Sequence, residues 1–261
     1  MKEQTSSSPG VPVAWSALIA EARTELPTHV ESLSGPGTRM GMLASGSARA
    51  MEFTFGAEAL SMLAVVEGAA ACLPHLELLD PFAVAVIREL DAGITKDDAS
   101  LALAVLSYVN VDRCCGVAIT EDAALAESRW LRTMASRPEW LSEDERRTAA
   151  LAAAAAGMSP LVPVLIGGRD LPLPFAPHQT FGFNVQGFAR YLASGFERGA
   201  SAADVEPAWQ SFLSAFPHSL AAGSITWPDL LWAGRAVVTH FKGRPAHEVA
   251  DVIHKSVTNA A

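Results

Sequence analysis

The chain of 261 residues is 50% hydrophobic, carries a formal net charge of −9 and has a pI near 5.2. That surface balance, with no basic run anywhere, repels phosphate backbones and argues against nucleic-acid binding. The length suits one large domain or two small ones, and abundant alanine favours closely packed helices.

The N-terminal stretch MKEQTSSSPGVP has no apolar signal-peptide core. The first helical pattern follows, with Trp15, Leu18, Ile19, Ala22 and Leu26 recurring at three and four residues and a stop expected at Pro27. Residues 34–47 are rich in Gly and Ser and read as a loop. Within it GPGTRMG, 35–41, lacks the lysine of a phosphate loop, and ASGSARA, 44–50, which overlaps its end, lacks the Gly-x-Ser-x-Gly spacing of a serine nucleophile. The run FTFGAEALSMLAVVEGAAACL, 53–73, has the length of a membrane span. Glu58 and Glu67 lie inside it, so a buried helix is expected and no membrane contact.

Further helical runs cover 50–73, 82–92, 97–109, 121–136, 143–157 and 182–198. Four capping-box patterns punctuate the chain: Thr95 with Asp98, Ser142 with Glu145, Ser201 with Asp204, and Thr226 with Asp229. The acid clusters Asp97-Asp98, Glu121-Asp122 and Glu143-Asp144-Glu145 fall in first helical turns, where carboxylates suit the helix dipole, so no catalytic role is assigned to them. The three cysteines, Cys72, Cys114 and Cys115, make a poor disulfide framework and point to a reducing, cytoplasmic compartment. Arg113 could lower the Cys114 thiol pKa, but the apolar run before it reads as core.

Residues 158–181 contain five prolines. There LVPVLI and LPLPF flank Gly167 and Gly168, a pattern that allows one short hairpin. This apolar linker divides an N-terminal helical subdomain, 1–157, from a C-terminal four-helix subdomain, 182–261, expected to form one composite domain. In PFAPHQTFGFNVQGFARY, 174–191, four phenylalanines alternate with His178, Gln179, Asn184 and Gln186, polar groups that could line a pocket at a loop-to-helix junction.

Two more stripes follow. One runs from Val205 through Trp209 and Phe212 to Phe216, and the other from Trp227 through Leu231 to Phe241. Trp232 falls about 140 degrees off the second stripe, beside Arg235 and Thr239, which suggests an interface anchor or burial against another helix. In the last helix His247, Asp251 and His254 share one face, while Val249, Ile253 and Val257 lie nearly opposite. Two imidazoles and a carboxylate could hold a metal, but the histidines do not have zinc-protease spacing and no further ligand can be assigned. A solvated face, with no metal or other cofactor, is the expectation.

The pattern therefore predicts an all-α bundle of about nine or ten helices. No catalytic constellation appears, so the expected function is non-enzymatic protein binding. An immunity-type inhibitor that occludes a basic toxin site with an acidic helical surface would fit, and a homo-oligomer remains open. The alternative is a helical enzyme or small-molecule binder with its pocket at the 174–191 junction.

Overall fold

A computed structural model of the chain describes residues 14–44, 46–167 and 185–260. Among them are twelve α-helices and no strand. In chain order these are α1 (Trp15–Leu33), α2 (Pro36–Leu43), α3 (Ser47–Glu67), α4 (Ala69–Glu89), α5 (Ala99–Cys115), α6 (Glu121–Ser136), α7 (Glu143–Ala155), α8 (Val162–Leu165), α9 (Val185–Arg198), α10 (Ala202–Ala221), α11 (Trp227–Arg235) and α12 (Val249–Ala260). A π-helical segment, Ala236–Phe241, continues α11 without a break.

The predicted count falls short because two short helices occupy stretches read as loop or strand. α2 forms within the Gly/Ser-rich 34–47, started by Pro36 in its first turn and held by buried Thr38 and Met42. LVPVLI is helical rather than extended, since Pro160 and Pro163 sit at helix starts where a missing N–H costs nothing. The other half of the expected hairpin lies outside the described residues. Pro27 and Pro217 do not end their helices, because burial of Leu33 beyond the first and Ser219 beyond the second holds the chain on the core. In α4 proline does act. The helix bends by 65° between Glu77 and Leu79, where the Pro81 ring crowds the carbonyl four residues earlier.

Three of the four capping boxes are complete, at Ser142, Ser201 and Thr226. The Thr95–Asp98 pair hydrogen-bonds as its spacing suggests, but it closes a turn ahead of α5, whose first residue is Ala99.

α3 is the central helix and packs against α1, α4, α5, α11 and α12. Its residues from Ala57 to Val66, Glu58 apart, are almost all buried, as are nearly all of α5 and the alanine run 149–155 of α7. Alanine makes such all-round burial possible, because helices that lack large side chains approach closely on every side. One hydrophobic cluster runs through both halves of the chain, from Trp15 to Val257. Gly234 marks the closest approach, since a Cβ there would run into the Ile253 side chain of α12. Gly234→Ala is expected to cost about 1–3 kcal/mol by overpacking, measured by urea denaturation. Among the described residues no single helix is long and apolar enough to cross a membrane.

Candidate functional site

The main cavity, about 710 Å³, lies between α3, α5 and the N-terminal ends of α7 and α11. Its size is that of sites which enclose small molecules. α3 supplies Ser47, Ala50, Met51, Thr54, Phe55, Ala57 and Glu58, and α5 supplies Ser100, Leu103, Ala104 and Ser107. Both sets follow helical spacing, so each is one face of its helix. Where neighbouring helices would pack on larger side chains, these faces carry mostly small ones, and a space remains. Asp144, Glu145 and Thr148 close it from α7, with Thr226 and Pro228 at the start of α11.

The carboxyl groups around this cavity differ in their partners. Asp229 is buried, and Thr148 Oγ1 donates to its Oδ1 at 2.9 Å while the Thr226 amide and hydroxyl donate to its Oδ2 at 3.0 and 2.9 Å. Burial still pushes its pKa up, against those hydrogen bonds. Glu145 accepts from Ser100 and from the Ser142 cap, which together outweigh its partial burial and hold its pKa down. Asp144 pairs with Arg147. Glu58 has only one hydrogen bond, a long one of 3.3 Å from the Trp227 amide, and no ion pair among the described residues. Burial, with a further push from the Asp229 charge, raises it to about 7. Among the described residues no lysine, arginine or histidine lines the cavity.

The residues singled out by sequence lie elsewhere. Trp232 and Arg235 do not form an outer face, because both are buried. Trp232 Nε1 points at Ser107 Oγ, 3.5 Å away, and the Arg235 guanidinium lies 5.5 Å from the Trp232 ring. Arg235 donates to Asn110 Oδ1 at 3.0 Å and to both Glu127 oxygens at 2.8 and 3.3 Å, and Arg113 donates to Glu127 Oε2 at 2.9 Å. Burial alone would raise the Glu127 pKa, but the two arginines outweigh it and hold it below the carboxylate range. Thr239, half-buried on the π-helical segment, donates to the Arg235 carbonyl.

On α12, Val249, Ile253 and Val257 are fully buried. His247 is exposed, but Asp251 and His254 reach back to the α3–α4 break at Gly68. Asp251 Oδ1 accepts from the Ala69 amide at 3.1 Å, and the His254 Nδ1–H donates to the Val65 carbonyl at 2.9 Å. One side chain caps the start of α4 and the other the end of α3. Among the described residues no group of three or more His, Cys, Asp or Glu is arranged to hold a metal ion. Gly68 has φ of 92°, a conformation that disfavours a side chain, so Gly68→Ala should lower stability by about 1–2 kcal/mol in urea denaturation.

Of the proposed junction pocket, His178, Gln179 and Asn184 lie outside the described residues. Gln186 is half-buried in the first turn of α9, and Phe188 of the same helix is core, stacked 4.3 Å from Phe212. All three cysteines are free and buried, and burial pushes the Cys114 thiol up, against any activation by Arg113.

A smaller cavity of about 60 Å³ lies between α4, α5 and the start of α6, with Asp80 and Asp112 in its wall. Tyr108 Oη is 2.6 Å from Asp80 Oδ1, while Asp112 Oδ1 has no hydrogen-bond partner. Burial, and then the charge of Asp80, pushes Asp112 up to about 9.

Reasoning from motifs missed the main cavity because neither of its lining faces is a motif. The available signal was the recurrence of Ser, Ala and Thr at helical spacing in 47–58 and 100–107, mixed with Met51, Phe55 and Leu103 and ending at Glu58 in the first stretch. No protein-family model matches this chain, and comparisons with curated proteins and with solved structures find no match.

Proposed function

We propose that this chain binds a small, largely apolar molecule in the cavity between α3, α5, α7 and α11. One observation carries the reading: a space of about 710 Å³ has a wall surface that is mostly apolar, with Ala, Met, Phe, Leu and Pro alternating with hydroxyl and carboxyl side chains. An apolar cavity of that size in a closely packed bundle gives up dispersion contacts, and a ligand that fills it restores them. This is the alternative function expected from sequence, moved from the 174–191 junction to the middle of the bundle. The neutral dye Nile red should gain fluorescence with the wild-type protein. Thr54→Trp, which puts a large ring into the cavity from an exposed position on α3, should abolish the gain. Equal emission from the two proteins would refute the site.

A second reading keeps the protein partner. Met40, Leu43 and Met51 are each at least 70% exposed, and Met51 also lines the cavity. Large apolar side chains left in water suit a contact surface, and the exposed first-turn acids Glu121, Asp122, Glu143 and Asp144 suit a basic partner such as a toxin site. Copurification that weakens as salt rises would support it, and Leu43→Glu should then reduce recovery of the partner.

A further inference from the structure

We propose that the ligand of the main cavity is an alkyl or arylalkyl amine whose ammonium group seats on Glu58. The inference rests on the cavity being a binding site and adds the chemical class of what enters it. The charged groups in the cavity wall, and Asp229 whose charge acts on Glu58, bear on the choice. From α11 comes Asp229, fully engaged by Thr148 and Thr226. From α7 come Asp144, paired with Arg147, and Glu145, engaged by Ser100 and Ser142. α5 contributes only the hydroxyls of Ser100 and Ser107.

Glu58, Asp144 and Glu145 therefore line an apolar space, Asp229 adds its charge to Glu58, and among the described residues Arg147 is the one cation paired with this set. An anionic ligand such as a fatty acid would meet repulsion without a compensating donor. A neutral ligand would leave Glu58 with its single long bond to the Trp227 amide. An ammonium group supplies up to three donors and an opposite charge, which is what a carboxylate held in apolar surroundings lacks. Burial raises Glu58 to about 7, so an amine that requires the ionised form displaces its proton near neutral pH. Amine binding should then tighten by roughly 30-fold from pH 5.5 to 8.5, the ratio of ionised Glu58 at those two values.

The test is isothermal titration calorimetry of n-octylamine, 1-octanol and sodium octanoate at pH 5.5 and 8.5. The proteins compared are wild type, Glu58→Gln and Thr54→Trp, each checked for helical content by circular dichroism. The expected result is that octylamine binds wild type most tightly at pH 8.5 with the stated pH dependence. Glu58→Gln should remove that dependence and weaken octylamine at least tenfold while leaving octanol unchanged. If octanol or octanoate binds as tightly as octylamine, or Glu58→Gln leaves octylamine untouched, the amine assignment is overturned while the apolar site stands. If none of the three binds and Nile red is also silent, the site itself falls, and the amine with it.

Discussion

Replacing Arg235 with alanine is expected to cost about 3–5 kcal/mol of stability, because the substitution removes one member of a buried charge network and leaves the others behind. Glu127 is buried, and Arg235 contributes two of its hydrogen bonds. Without Arg235, Glu127 retains Arg113, while Asn110 Oδ1 loses its guanidinium donor and the Trp232 ring loses its cation. Urea denaturation at pH 7 measures the loss. The double variant Arg235→Met with Glu127→Leu should recover at least half of it, because no unpaired carboxylate is then buried and Arg113, less deeply placed, can turn to water. A single variant as stable as wild type would show that the network contributes little. The sign of the pH effect also follows. Glu127 is held below its unfolded value, so its contribution is present above that value and fades as pH falls through the folded one. The acid limb of the stability curve should therefore flatten in the double variant.

Asp112→Asn is expected to stabilise the protein, by several kcal/mol at pH 9 and by little below pH 4. Asp112 is 7% exposed and titrates near 9 in the folded chain, well above its ordinary value of 3.8. An acid whose folded pKa is raised binds its proton more tightly folded than unfolded. Stability thus falls as pH climbs from the unfolded to the folded value, and the penalty is complete above the latter. Asparagine keeps the shape, cannot ionise, and offers an amide donor toward Asp80 in place of the carboxyl proton. Thermal melts from pH 4 to pH 9 check the prediction. Wild type and variant should diverge progressively with pH, and parallel curves would show that Asp112 is ionised without cost across that range. The expected gain depends only on burial and on the nearby Asp80 charge.

By itself the sequence determined the helical class and the inward face of most helices. Those properties are local, since a residue's place on a 3.6-residue turn follows from its neighbours along the chain. Hence Val249, Ile253 and Val257 could be turned inward on paper, and three of four capping boxes lie where spacing put them. What lies across from a helix face is not local. Off the apolar stripe of their helix, Trp232 and Arg235 suited either an interface anchor or burial against another helix, and it is the enclosure of α11 by α3, α5 and α7 that makes both of its sides interior. Asp251 and His254 looked like metal ligands or solvent groups, and their partners are the amide and carbonyl left free at Gly68, some 180 residues earlier. The cavity depends most of all on tertiary structure. Small residues on α3 and α5 become the wall of a cavity only when two further helices bridge them, and Glu58 becomes unusual only when that burial takes away its water.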